Sequence, residues 1–508
     1  MTWLDSAIGW LSPVSGMRRM QARRAMDIHA RAYDAAKRDH RTASWQAAGS
    51  SANAEIATGE ETVRNRSRDL VRNNGYALQI VETIADHVVG TGIVSAPMGL
   101  KGRNLQKVKD LWTGFVEECD WDGDQDLNGL AWSAEKGQRE SGAALIRFRR
   151  QQFDGSTRRA PLKLQLMEPD FIDTMKTGTT AGGGWIDRGI EYDSEGRRIA
   201  FWLLPAHPGD VASWRAFSMT SERVPASELV YLFDKLRPGQ DRGMPVLAPA
   251  IMTLQDLRSY FQAELVRKRI AACMVGFITT QDDNLNLSAQ PEGKSKDGAP
   301  TQKMEPGLLQ RLRPGEDITF NQVPGDSGVD AMATQYLRES AAAAGVMFEQ
   351  ATGDFSRVNY SSFRAGGHGF RRRTERRQWS FIHTASRPIA ARFTEAALAA
   401  GLLGAVPGGW RHTPPGFISV DPDKDAKADL SNLRMGKVTL SELVEERGWD
   451  YVEHLQRLAD DIKAMSEILG PDFMFDGDPR KVLNQAKPDN SSGNQAANGK
   501  DDSAAQAA

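Results

Sequence analysis

Residues 66–92 read RSRDLVRNNGYALQIVETIADHVVGTG. The run opens with Arg66, Arg68, Asp69 and Arg72 and carries Leu70, Tyr76, Ile80, Ile84 and Val88 on one helical face. That spacing predicts a single amphipathic helix with a basic N-terminal half, stopped by Gly90 and Gly92. Taken alone the helix is scaffold, and its charged face is expected to be solvated.

Working outward, the rest of the chain divides by changes in pattern. Residues 1–60 form a basic arm, with Arg18, Arg19, Arg23, Arg24, Arg31, Lys37, Arg38 and Arg41, and 43–59 is small, polar and linker-like. Residues 61–243 are α+β. Helices are predicted at 105–118 and 127–141, and strand-like runs at 144–149, 162–167, 199–204 and 229–233. Turn signals at Asp154, Gly155 and at Glu195, Gly196 favour hairpins between those strands. A long helix is expected over 244–272, with Leu247, Ile251, Leu254, Phe261 and Leu265 on one face. Residues 273–327 are β-rich, with a strand in 274–279, a polar loop at 281–303 and two short strands around Pro314 and Gly315. Helix returns over 328–349, where the alanines at 341–344 suit close packing, so the β-rich insert is expected at the end of a helical stalk.

Residues 350–362 form a loop, and 363–422 hold a long helix over 363–397, with Phe363, Phe370 and Phe381 on one face, followed by a return segment. Residues 423–475 are helical. Thr439 with Glu442 and Asp450 with Glu453 make capping-box patterns, and Gly448 and Gly470 are stop signals. The tail, 476–508, is too polar to bury a core. No internal repeat is evident.

Composition bounds the function. A chain of 508 residues is too long for one core. The contents of 40% hydrophobic and 26% charged residues are globular values. No stretch approaches the roughly 18 apolar residues of a membrane span, so no membrane partner is expected. The N-terminal charges follow the apolar part, the wrong order for a secretory signal. Cys119 and Cys273 are the only cysteines and offer neither a disulfide framework nor a zinc spacing. The net charge is −2, from 64 basic and 66 acidic residues. A protein that grips DNA through many phosphates is usually basic, so this chain either ignores nucleic acid or lets it pass without holding it.

Motifs for catalysis, metals or cofactors are weak. Gly293-Lys294-Ser295 lacks the leading glycine of a phosphate loop, because position 288 is serine and no apolar strand precedes it. Gly325-Asp326-Ser327-Gly328 resembles a protease nucleophile segment but lacks the following glycine and an all-β context. Asp326 or Ser327 is read instead as a helix N-cap. Asp120, Asp122, Asp124 and Asp126 lack the glycine and glutamate of a calcium loop and are read as an acidic turn, with Asp126 or Asn128 capping the next helix. The histidines have no metal-ligand spacing, and Asp86 with His87 is read as a structural hydrogen-bonded pair. No catalytic residue, cofactor or metal is therefore assigned. The strongest electrostatic feature is Arg371, Arg372, Arg373, Arg376 and Arg377 on one helix, with Glu375 placed to pair with Arg371. Arg372 and Arg376 point one way and Arg373 and Arg377 another, which suits either salt bridges within the chain or a helix between subunits and a lumen.

Four collinear segments carry a resemblance. They are residues 66–90, the stretch FDKLRPGQDRGMPVLAP at 233–249, GVMFEQATGDFSRVNYSSFRA at 345–365, and the helical segment at 424–458. Together they resemble lambda-like phage portal proteins. The resemblance implies a portal fold: a wing at 61–243 completed by 350–422, stem helices at 244–272 and 328–349, a β-rich clip at 273–327, a tunnel loop at 350–362, and a helical crown at 423–475. It implies a homo-oligomeric ring of twelve subunits in the virion, at one capsid vertex of major capsid protein. Double-stranded DNA would enter and leave through the lumen without sequence recognition. The large terminase, then head–tail connector proteins, would dock on the clip. Arg357, Asn359, Tyr360 and Ser361 would lie in or beside the tunnel loop facing DNA. Arg66, Arg68 and Arg72, with the arginines at 371–377, would be candidates for contacts between subunits or with the lumen. Two rivals remain: another ring-forming connector or scaffold, and a DNA-packaging enzyme, which needs a phosphate loop or a metal-binding carboxylate set.

Overall fold

The computed structural model describes residues 47–151, 159–210, 220–273, 277–280, 293–294, 300–301, 316–319, 328–356, 358–417 and 421–470, with scattered positions before 47. The chain divides into two compact units. The smaller comprises residues 1–60 with Lys235–Arg242, and the larger comprises Glu61–Asp234 with Gly243–Ala508.

The opening helical run is two helices. α1 spans Ala52–Asn73 and α2 spans Gly75–Val88. Asn74 interrupts them: its backbone is extended, and its side-chain oxygen accepts from the Tyr76 and Ala77 amides at 3.0 and 3.2 Å. Asparagine is a strong N-cap, so a local cap outcompetes helix continuation where Gly75 lowers helix propensity. α1 also begins inside the stretch expected to be linker. The predicted apolar face is buried at Leu70, Ile80, Ile84 and Val88, with Tyr76 half-buried.

In the smaller unit, the Gly-Gln-Asp-Arg turn at 239–242 is tied to the start of α1. Asn53 Nδ2 donates to Gly239 O at 3.0 Å, and the Asp241 amide donates back to Asn53 Oδ1 at 2.9 Å. Buried Gln240 accepts from the Leu236 and Arg237 amides and donates to Arg242 O, while Arg242 pairs with Glu60 at 3.1 Å.

The larger unit is α+β. β1 (Val94–Met98) leads to α3 (Gly102–Glu118) and α4 (Leu127–Ser141), which Asp126 caps through the Gly129 amide at 2.7 Å. β2 (Ala143–Arg150), β3 (Leu162–Met167) and β9 (Leu229–Phe233) form an antiparallel sheet in the order β3-β2-β9. The turn carrying Asp154 and Gly155 lies outside the described residues. A second antiparallel sheet holds β4 (Gly178–Thr179), β5 (Trp185–Asp187), β6 (Ile190–Tyr192), β7 (Arg198–Leu203) and β8 (Glu222–Pro225) in sequence order, with Gly196 at φ +80 in the β6–β7 turn. The sequence pattern identified only β7 of these strands, because the others are short.

α5 (Ile251–Cys273) packs along α6 (Val329–Ala344). Ser340, Ala341 and Ala344 are buried, as the small side chains require for close helix approach. The α5 face is buried only at its N-terminal end: Leu247, Ile251, Leu254 and Leu257 are covered, whereas Phe261 and Leu265 are exposed. Between the two helices, β10 (Phe277–Thr280) pairs antiparallel with β13 (Glu316–Thr319), and β11 (Gly293–Lys294) with β12 (Pro300–Thr301). α6 starts after Gly328, which is at φ +70; Asp326 and Ser327 lie outside the described residues.

α7 (Phe348–Thr352) precedes α8 (Tyr360–Phe381), a π turn at Ile382–Ser386 and α9 (Arg387–Ala399). The π turn sits just ahead of Pro388, which has no amide to donate. β14 (Gly409–Thr413) then pairs antiparallel with β1, from Val94 with Thr413 to Met98 with Gly409. This return closes an aromatic cluster of Trp112, Phe115, Phe393 and Trp410, with ring centroids 4.6–5.9 Å apart. Edge and tilted ring contacts of this kind add to area burial. The chain ends with α10 (Pro422–Arg434), α11 (Leu440–Glu446) and α12 (Tyr451–Leu469). Thr439 with Glu442 makes the full capping box, and Asp450 caps α12 through the Glu453 amide.

Candidate functional site

The arginine-rich helix α8 is sorted by its own periodicity. Phe370, Thr374, Arg377, Gln378 and Phe381 are buried, at steps of four, three, one and three. The face docks on α2: Phe370 lies edge-on to His87 with centroids 4.9 Å apart, and Gln378 Nε2 donates to the backbone oxygens of His87 and Pro415 at 2.9 and 3.1 Å. Asp86 and His87 do not bond each other as expected. Asp86 accepts from Trp132 Nε1 and the His87 ring meets Thr83 O, both at 2.8 Å, because their side chains leave the helix in different directions.

The five arginines have three different fates. Arg371 pairs with Glu375 at 3.0 Å and lies over the Phe417 ring. Arg377 is buried, donates to Ala344 O at 2.8 Å, and so faces neither a subunit nor a lumen. Arg372, Arg373 and Arg376 are exposed, with Arg373 lying over Gly345.

Arg377 belongs to a buried charge cluster that the sequence reading missed. Arg139 donates to Glu135 Oε1 at 2.7 Å through Nε and to Asp234 through Nη1. Gln138 Nε2 also donates to Asp234. Glu135 is fully buried, and that burial holds its carboxyl above the usual range despite Arg139. Burial, then repulsion from Arg139, pushes Arg377 down to about 10, so it remains a cation. The i,i+4 spacing of Glu135 and Arg139 was a usable signal, but their shared partners, Asp234 just after β9 and Arg377 on α8, were not visible locally.

Arg68 is likewise internal. It donates to Ser141 Oγ at 2.9 Å and pairs with Asp170 at 2.6 Å and Glu168 at 3.1 Å. Arg64 meets Asp170 at 3.2 Å from one helical turn earlier. Burial alone would raise the Asp170 carboxyl, but the Arg68 hydrogen bond and the Arg64 charge hold it below the ordinary range. Arg68 is thus engaged within the chain by Asp170, Glu168 and Ser141. Arg66 and Arg72 are exposed. Glu168, Asp170 and His207 come close enough to share a cation. The two guanidiniums already neutralise both carboxylates, so ion pairing accounts for the cluster without a metal.

Asp120 accepts from the amides of Asp122, Asp124 and Gln125, which makes the acidic stretch a side-chain-closed turn. Burial and the carboxylates of Asp120 and Asp126 push the Cys119 thiol up to about 12, leaving it a poor nucleophile.

At the start of α8, Asn359 is the N-cap. Its oxygen accepts from the Ser362 amide at 2.8 Å and the Ser361 hydroxyl at 2.9 Å. Arg357 lies outside the described residues, and Tyr360 is described only as the first residue of the helix. Arg364, on the same helix, pairs with Asp425 of α10 at 2.9 Å.

The chain matches the family described as phage portal protein, lambda family, over residues 38–378. It is 24% identical over 461 residues to a probable portal protein of Halomonas phage phiHAP-1, covering 86% of this chain and 87% of that one. It is 21% identical over 365 residues to portal protein B of Escherichia phage lambda, covering 64% and 66%. Among solved structures, a chain from the virion of a native gene transfer agent particle superposes with a TM-score of 0.42 at 14% identity, covering 76% of this chain and 92% of that one. The chain belongs to the lambda family of phage portal proteins.

Proposed function

We propose that copies of this chain form a ring at one vertex of the capsid, through which double-stranded DNA is packaged and later ejected. The supporting observation is the sorting of charge on α8. Of its clustered arginines, the structure consumes Arg371 and Arg377 internally and leaves Arg372, Arg373 and Arg376 exposed along one side. Duplex DNA carries one charge per roughly 1.7 Å, so a uniformly basic lumen would hold it firmly. A few exposed guanidiniums on a chain of net charge −2 make weak, exchangeable phosphate contacts instead. In this reading the segment 61–243 with 350–422 is the wing, 244–272 and 328–349 are the stem, 273–327 is the clip, 350–362 is the tunnel loop, and 423–475 is the crown. The ring has twelve subunits, and the clip receives the terminase and then the head–tail connectors. The protein acts as a structural conduit with no chemistry of its own.

Negative-stain microscopy of the purified chain tests the architecture: rings with a central hole are expected, and monomers under all assembly conditions refute it. Arg357→Glu and the double variant Arg372→Glu/Arg376→Glu test the path of DNA. Reduced packaging with rings intact is expected, and unchanged packaging and DNA retention would remove those side chains from the lumen.

A further inference from the structure

The helices α10–α12 are joined to the rest of the larger unit without a share in its core. Among the described residues, none after Phe417 enters either of the two apolar clusters. α10 and α12 bury no residue, and α11 buries only Val444. A body attached in this way lacks the apolar burial that ties elements into one cooperative piece.

Charge and main chain make the joint instead. Arg411 of β14 spans it with both ends of its guanidinium: Nη1 donates to Glu445 Oε1 of α11 at 3.1 Å, and Nη2 donates to Asp450 Oδ2 at 2.7 Å. Asp450 is buried, and its other oxygen accepts from the Glu453 amide at 2.9 Å, which caps α12. One arginine therefore holds both α11 and the start of α12. Beside it two glycines bring main chains together. A Cβ on Gly416 would lie 2.2 Å from Glu446 O, and one on Gly448 would lie 2.9 Å from Gly416 N. Arg364 of α8 with Asp425 of α10, 2.9 Å apart, repeats the pattern of a body arginine on a carboxylate of the C-terminal helices. Arg411 Nε is buried with no partner, a cost of docking that water relieves on release.

We propose that α10–α12 form a releasable body, latched to the β1–β14 ribbon by Arg411, that undocks while the core of the larger unit stays folded. The latch is within one chain and does not depend on the ring. Ion pairs between half-buried groups weaken with salt, whereas an apolar core does not, so ionic strength opens the joint selectively. α11 reports the opening, because a helix of seven residues does not persist in water once its dock is lost.

Amide hydrogen exchange of the full-length protein tests the latch, with the β2 and β3 amides as internal reference. Raising sodium chloride from about 0.1 to 1 M shortens the screening length from about 10 to 3 Å. In the unsubstituted chain the α11 amides are expected to accelerate at least about tenfold, the worth of a hydrogen bond to a charged group, while the reference amides hold their rates. Arg411→Met is expected to exchange fast at α11 already at low salt and to lose the salt response. Arg411→Lys keeps the charge without the two-ended grip and is expected to fall between. Glu445→Gln, a change at a half-buried position, gives a partial release and decides the matter if Arg411→Met yields no folded protein. Salt-insensitive exchange at α11 in the unsubstituted chain overturns the proposal. So does an equal acceleration of α11 and the β2 and β3 amides in the variants, since the helices would then open only with the core.

Discussion

Replacing Arg139 with methionine removes the hub of the buried cluster at the junction of α4, β9 and α8. Arg139 is the direct partner of both Glu135 and Asp234. Without it, Glu135 is left as a fully buried carboxylate whose own burial already disfavours its charge. Breaking a buried ion pair by deleting one partner costs about 3–5 kcal/mol, because the remaining charge has lost its counter-ion. Arg377→Met differs. It removes a cation that Arg139 repels, while both carboxylates keep Arg139. What is lost is the hydrogen bond to Ala344 O, and leaving that acceptor unpaired costs about 1–3 kcal/mol.

Relief of the repulsion offsets part of that cost, so Arg377→Met is expected to be the milder change. A chain with several units is unsuited to a single unfolding free energy, so amide hydrogen exchange is the assay. With 1.36 kcal/mol per decade, Arg139→Met should accelerate exchange of the most protected β9 and α4 amides by about two to almost four decades. Glu135→Gln should recover part of the loss in the Arg139→Met background, since it removes the stranded charge. Equal effects of Arg139→Met and Arg377→Met, or no rescue by Glu135→Gln, would refute this account of the cluster.

Further outcomes follow from other sites. His412, bonded to Ser95 Oγ at 2.8 Å, is pushed by burial and by Arg387 down from its ordinary 6.5 to about 4. The unfolded chain therefore takes up a proton first as pH falls, so stability is undiminished above about 6.5 and declines towards pH 4, by about 3 kcal/mol in total. Thermal unfolding measured across that window should show the decline, and His412→Gln should flatten it. Asn74→Ala removes the cap of α2 and should cost about 1 kcal/mol, read as faster exchange of the first α2 amides; Asn74→Ser should restore most of it. Gly243→Ala should abolish soluble expression, because a Cβ there collides with the Gly142 carbonyl oxygen and lies 2.8 Å from Phe233 Cβ. Wild-type yield from that variant would show that the β9–α5 corner can shift.

Much of the fold was readable from local pattern. The α4 helix and the strands β3 and β9 fall where periodicity and turn residues place them, as does the alanine packing face of α6. These features depend on neighbours a few residues away, which sequence displays directly. The rest depended on distant partners. β1 and β14 bring Ser95 to His412, 317 residues along the chain, and neither strand has an alternation strong enough to announce the other. The break at Asn74 was a contest between cap and propagation that the apolar stripe, running through both helices, concealed.

The arginines show the same division. Sequence by itself determined their number, their place on helices, the Arg371–Glu375 pair and the near-neutral total charge, together with the collinear segments that mark the portal family. Only the tertiary structure decided which cations remain outside. Arg68 and Arg377 turn inward to carboxylates and carbonyls supplied by other elements, while Arg372, Arg373 and Arg376 stay exposed. The reason is physical: a helix fixes the direction of each side chain by its period, but whether that direction meets water or a buried acceptor depends on which elements pack there.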